Sequence, residues 1–189
     1  MSSVEMHPPF KHYRGKIGDL VYRKRKGKTI VALCPDADRP LKKREIAHRQ
    51  NFSEAAAWAT QALKNPELLE VYEELAGVRD IPIRAVAVAD FLGRPSVETP
   101  DLSGYTGQIG NQILFQATDN IGVTGARVTI SDEAGIPYES GIAVEVDEDA
   151  GLWMYTAMSA VPADSTALVK VQVNDRPGNI AEATAEKEL

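Results

Sequence analysis

The sequence predicts an α+β fold: an N-terminal β-hairpin and a helical hairpin, followed by an antiparallel β-sandwich. Three observations carry this. Apolar residues recur at helical spacing between residues 41 and 92, and they alternate with polar ones from Ser96 onward. Ahead of both lies Gly15–Leu33, GKIGDLVYRKRKGKTIVAL, in which two apolar runs flank a tip of five cations.

That stretch is the first element. Its runs are Ile17–Tyr22 and Thr29–Leu33, and its tip holds Arg23, Lys24, Arg25, Lys26 and Lys28. Gly27 supplies the positive φ that a two-residue turn needs. With Lys26-Gly27 as the turn, Tyr22 stands opposite Val31 and Leu20 opposite Leu33, an apolar face at the base. The same register sets Arg25 directly opposite Lys28, and like charges so placed are destabilising. An anionic partner would relieve that repulsion.

Residues 1–14 carry Pro8-Pro9 and no periodicity, so they read as an extended arm. Residues 15–95 form the basic hairpin plus a helical region. Cys34–Pro40 is a loop with two prolines, and Pro40 suits the first position of a helix. Within 41–64, Ile46, Phe52, Ala55, Ala56, Ala59 and Leu63 fall at helical spacing. Lys42, Lys43, Arg44, His48 and Arg49 crowd its first two turns, where the helix dipole prefers anions. Asn65-Pro66-Glu67 gives a cap, a first position and an acidic first turn for a second helix. Leu68, Val71, Tyr72 and Leu75 make its stripe, with Gly77 as the residue that ends it. Asp80-Ile81-Pro82 repeats the start signal, and Ala85, Val88 and Leu92 continue to Gly93 and Pro95. RAVAVADFL would also serve as a buried strand. Pro and Gly cluster in Gly93–Pro100, the expected site of a proteolytic nick ahead of a sandwich that folds on its own.

Residues 96–189 are the sandwich. Ile113, Phe115 and Ala117 point one way, followed by Ala126, Val128 and Ile130, then Trp153, Tyr155 and Ala157, then Val169, Val171 and Val173. Turn clusters separate the runs: Asp119–Gly122, Asp132–Gly135, Asp147–Gly151 and Asp175–Asn179. Short strands at this spacing argue for a sandwich with Trp153 as a core aromatic.

The pattern ATDNIGVTGARVTI, GLWMYT and VKVQVNDRPGN resembles the bacterial immunoglobulin-like domains of surface and repeat proteins, over roughly residues 97–186. In those domains the first strand ends in an Asp-containing turn, here Asp119, and the closing strands flank a D-x-x-G-N turn, here Asp175–Asn179. The resemblance implies an immunoglobulin-like sandwich. The N-terminal half is similar to an uncharacterised bacterial family that opens with G-K-[IV]-G and a short hairpin and continues with a Q-x-x-R-x-x-F helix. Gly15, Lys16, Ile17, Gly18, Gly27, Lys28, Arg49 and Phe52 match it, while Ala47 or His48 stands where the Gln would be. That resemblance implies no activity.

The chemistry of catalysis is hard to find. There is no phosphate-binding glycine loop, no dinucleotide fingerprint and no H-E-x-x-H. Two of the three histidines, His7 and His12, lie in the arm, and His48 has no local partner for a Ser–His–Asp site. Asp147-Glu148-Asp149 has the spacing of a solvated loop. The single Cys34 permits no internal disulfide, and a small core residue is its expected role. Asp119, Asp175 and Asn179 are weak candidates for a calcium site in the sandwich loops; turn stabilisation is the preferred reading. Neither a metal nor a cofactor is expected, and no enzyme activity. Asn51-Phe52-Ser53 matches a glycosylation sequon but falls mid-helix.

Charge is divided sharply. Residues 1–50 hold 13 Lys and Arg against 5 Asp and Glu, a net of +8, while the remainder is −14, for the total of −6. No apolar run spans a membrane, and the N-terminus lacks the features of a Sec signal. The expected compartment is cytoplasmic, with incorporation into a larger particle or non-Sec export as alternatives. The expected function is non-enzymatic and structural or interactive, self-assembling through the basic N-terminal region and the acidic sandwich. The expected partners are a second copy or another protein. The basic patch comprises Arg23, Lys24, Arg25, Lys26, Lys28, Lys42, Lys43, Arg44 and Arg49. The alternative is a nucleic-acid-binding protein that uses Arg23–Lys28 and the start of the first helix. A solvated basic arm without a partner explains the same charge pattern.

Overall fold

The computed structural model describes residues 2–3, 14–25, 27–34 and 40–189. The arm over residues 4–13, with His7 and His12, lies outside these residues, as do Lys26 and loop positions 35–39. The chain divides into two compact units, Met1–Ile46 and Ala47–Leu189.

The first unit is a four-stranded antiparallel sheet in the order β1-β4-β3-β2. Its strands are β1 (Ser2–Ser3), β2 (Gly15–Ile17), β3 (Leu20–Arg25) and β4 (Lys28–Leu33). The register of β3 on β4 is the expected one: Tyr22 faces Val31, Leu20 faces Leu33 and Arg25 faces Lys28. Gly27 takes φ 78° at the tip, where a side chain would strain the turn. The apolar run from Ile17 to Tyr22 is not one strand, however. Gly18-Asp19 breaks it with a second tight turn, pairing Ile17 with Leu20. Ser2 and Ser3, expected in the extended arm, pair with Val31 and Ile30 on the other edge.

In the second unit three helices precede the strands: α1 (Lys43–Ala62), which begins just ahead of the unit boundary, α2 (Pro66–Arg79) and α3 (Ile83–Leu92). Asn65 caps α2 by accepting from the Glu67 N–H at 3.0 Å, with Pro66 at the first position. Three sequence expectations need correction here. Ile46 and Phe52 are exposed, and α1 buries only Ala55, Ala59 and Ala62. Helix α2 runs through Gly77 and ends on Asp80, which adopts the left-handed conformation (φ 51°). Helix α3 exists and packs Val88 against the core, but its buried residues are Val86, Ala87 and Asp90, and the expected Ala85 and Leu92 are exposed. Tertiary packing sets its phase: Tyr72 of α2 and Val86 and Ala87 of α3 form the helical core, flanked by Trp58 and by Ile121 from the sandwich.

The sandwich comprises two four-stranded antiparallel sheets, β5-β6-β10-β9 and β12-β11-β7-β8. The strands are β5 (Ser96–Val97), β6 (Gln112–Thr118), β7 (Val123–Ser131), β8 (Pro137–Ile142), β9 (Val144–Asp147), β10 (Leu152–Thr156), β11 (Thr166–Asp175) and β12 (Ile180–Glu188). Strands β8 and β9 are one chain segment that changes sheet at Ala143. Named A to G in chain order, with β8 as C′, this is the A-B-E-D and G-F-C arrangement of immunoglobulin-type sandwiches with one added edge strand. All twelve inward residues expected from alternation are buried in a single core that joins both sheets. Each buried Val or Ile contributes roughly 1.5–3 kcal/mol of apolar burial.

The helices belong to the sandwich's unit, although the sequence groups them with the hairpin. Gly93–Pro100 is no open linker: Pro95 and Pro100 are buried and β5 pairs with β6. Asn120 donates to the Ala89 carbonyl at 2.7 Å, Arg79 donates to the Asn120 carbonyl at 2.7 Å, and Asn179 donates to the Gly93 carbonyl at 3.0 Å. A Cβ at Gly93 would lie 2.5 Å from Asn120 Nδ2, so the close approach of helix end to loop requires glycine there.

Candidate functional site

The hairpin of β3 and β4 presents its cations in a defined pattern. Cross-strand partners share a face, so Val21, Arg23, Arg25, Lys28, Ile30 and Ala32 lie on one side of the ribbon. The apolar residues occupy the base and the cations the tip. Arg23, Lys24, Arg25 and Lys28 are exposed, and none of them forms an ion pair with another described residue. A groove of about 480 Å³ runs along the ribbon, lined by Val21, Ile30, Ala32 and Leu33 with Arg23, Lys24 and Arg25.

The other cations of the expected patch lie at the start of α1. Lys42 precedes the helix, and its N–H donates to Glu45 Oε2 at 2.8 Å, a reach-back contact that satisfies one orphan donor of the first turn. Lys43, Arg44, His48 and Arg49 follow on the helix, all exposed. Glu45 is thus the one acid in a first turn otherwise rich in positive charge. Cys34, expected as a small core residue, is half-buried after β4, with its N–H donating to the Asp19 carbonyl at 2.6 Å.

The loop acids are engaged as turn stabilisers. Asp119 Oδ2 accepts from the N–H groups of Ile121 and Gly122 at 2.9 and 3.1 Å. Asp175 Oδ1 accepts from those of Gly178 and Asn179 at 2.8 and 2.6 Å, and its Oδ2 accepts from Asn179 Nδ2 at 2.7 Å. Among the described residues no group of three or more His, Cys, Asp or Glu is placed to hold a metal ion. Arg176 donates weakly to the Gly122 carbonyl at 3.5 Å and lines a cleft of about 360 Å³ with Asp119, Glu145, Glu148 and Asp149.

Two features escape sequence reading. The first is a buried polar pair between helices: the Tyr72 hydroxyl donates to Asp90 Oδ2 at 2.5 Å, and neither residue is exposed. Burial pushes the Asp90 carboxyl up to about 6, against the opposing effects of the Tyr72 hydrogen bond and the Arg176 charge, with Asp119 and Asp175 adding to the rise. Burial likewise raises Tyr72 above the usual phenol range. The second is the outer face of sheet β5-β6-β10-β9. Met154 lies between Leu114 on β6 and Val144 on β9, and Val144 and Val146 are 63% and 46% exposed. The outer face of the other sheet is mixed, with a Lys170–Glu182 ion pair at 2.7 Å and a Thr129–Ser140 hydroxyl contact at 2.9 Å beside exposed Ile142 and Ile180. Alternation within LWMYT and IAVEV carries this signal, but a search for inward-facing residues passes over it. No helix among the described residues is long and apolar enough to cross a membrane.

No family model matches the chain, and no curated protein does; the resemblance of the N-terminal half to a bacterial family gains no support from them. Two solved structures are similar over about half of the chain. CopC from Methylosinus trichosporium OB3b is 16% identical over 49% of this chain and 90% of its own, with a TM-score of 0.35. A tetra-tandem repeat from the extending region of a large adhesion protein is 18% identical over 50% of this chain, with a TM-score of 0.37. This chain spans 24% of that second structure.

Proposed function

We propose that this is a non-enzymatic structural or interaction protein that associates with further copies of itself through its basic hairpin. The observation that carries the reading is the hairpin's charged face. Arg25 stands opposite Lys28, with Arg23 one position along on the same side, and a ribbon so charged is stabilised when an anionic surface meets it. Residues 51–189 carry a net charge of −14 and supply such a surface on every copy. The immunoglobulin-type strand order supports the reading as an architecture common among interaction domains.

Nuclease-treated full-length protein tests this by light scattering at about 50 mM and about 0.5 M salt, conditions between which exposed charge contacts are largely screened. Association at low salt that dissolves at high salt supports the reading. The competing occupant of the hairpin is a nucleic acid, since a two-stranded ribbon fits a major groove. A protein that stays monomeric at both salts, yet binds added DNA or RNA with a steep salt dependence, replaces the first reading with this one.

A further inference from the structure

We infer that the surface receiving the hairpin is the outer face of sheet β5-β6-β10-β9 on a second copy, together with the acidic turn that follows β9. This rests on the self-association reading and names its second half.

An apolar row crosses this face between Gln112 and Thr156 on one side and Gln116 on the other. Leu114, Met154 and Val144 form this row across three adjacent strands, and the next residue of β10 on this face, Leu152, stands between Gln116 and Asp147. Val144 and Val146 remain 63% and 46% exposed. Strand β9 is also an edge, paired only with β10, and exposed apolar edges are sites of association unless covered. At the β9 end the row gives way to Asp147, which shares this face with Leu152, and to Glu148 and Asp149 in the turn, all exposed. Arg176 lines the adjoining cleft and is the one cation there among its lining residues.

The hairpin is the complement of this surface. Along one side of the ribbon, Val21, Ile30 and Ala32 at the base lead to Arg23, Arg25 and Lys28 at the tip. Both surfaces therefore run from apolar to charged, with opposite signs. A six-residue strand extends about 20 Å, and a row across three strands spans about 10 Å, so a two-stranded ribbon can lie on the face with its base on the apolar row and its tip on the turn. Contact desolvates apolar area and pairs cations with carboxylates together, whereas either surface alone leaves both exposed to water.

The test uses nuclease-treated full-length protein and three variants: Arg23→Glu/Arg25→Glu on the hairpin, Glu148→Lys/Asp149→Lys on the turn, and Val144→Asn on the row. Circular dichroism verifies that each folds. Expected are at least tenfold weaker self-association for each variant alone and recovered association when the two charge-reversed proteins are mixed. Wild-type-like association of both Glu148→Lys/Asp149→Lys and Val144→Asn, with loss only in the hairpin variant, overturns this inference while leaving self-association intact. A wild-type protein that is monomeric at low salt overturns self-association itself, and this inference with it.

Discussion

The Tyr72 hydroxyl and Asp90 Oδ2 meet at 2.5 Å between α2 and α3, with the other Asp90 oxygen buried and without a hydrogen-bond partner. Asp90 faces Tyr72 directly and feels Arg176, Asp119 and Asp175 from the loops of the sandwich. Burial raises its folded-state pKa from 3.8 to about 6. The folded protein then binds more protons than the unfolded chain between these values. Asp90's contribution to stability is present below about pH 4 and lost as pH rises through about 6, a swing on the order of 3 kcal/mol. Asp90→Asn keeps an acceptor for Tyr72 and cannot ionise. Its stability relative to wild type should rise between pH 4 and 7 in urea titrations; a pH-independent difference would contradict the burial argument.

The polar bonds that hold the helices against the sandwich predict a second effect. Asn179 Nδ2 serves Asp175, Gly93 and, at 3.4 Å, Phe91, and Asn120 serves Ala89. Asn179→Ala should cost roughly 1–3 kcal/mol by leaving buried acceptors unmatched. It should also open the Gly93–Pro100 segment to protease. Cleavage there as slow as in wild type would show that apolar contacts alone keep the helices docked.

Trp153 is 6% exposed within the core shared by both sheets. Trp153→Ala should destabilise the protein by about 3–5 kcal/mol, as large-to-small aromatic changes in cores do. A loss under about 1 kcal/mol in denaturant unfolding would place the ring outside the packed interior.

Chelation should leave the melting temperature unchanged, because both Asp175 oxygens and one Asp119 oxygen are taken by turn hydrogen bonds. A rise of several degrees on adding calcium would mean that these loops rearrange around the ion.

Where one face of an element is buried, the sequence announces it. The inward set of the sandwich, from Ile113 to Val173, and the β3–β4 register both follow from period-two alternation and a Gly-containing turn. The helices were less legible. Ile46 and Phe52 sit at core spacing yet remain exposed, and the buried face of α3 depends on Tyr72 and Ile121, which come from elsewhere in the chain. Asp90 fell outside any motif because its partner is 18 residues away on another helix. The Gly18-Asp19 turn was readable as a Gly-Asp hairpin signal, but the apolar run around it masked the break.

The most direct measurement of the central claim is sedimentation equilibrium of nuclease-treated full-length protein at low salt, comparing wild type with Arg23→Glu/Arg25→Glu/Lys28→Glu. These side chains are exposed on the hairpin, so the variant should keep its fold and its circular dichroism spectrum. The expected result is a wild-type mass that rises with concentration above that of the monomer, and a variant that stays monomeric throughout. A wild type that is monomeric across the same range, or a variant that associates as strongly as the wild type, would contradict the account.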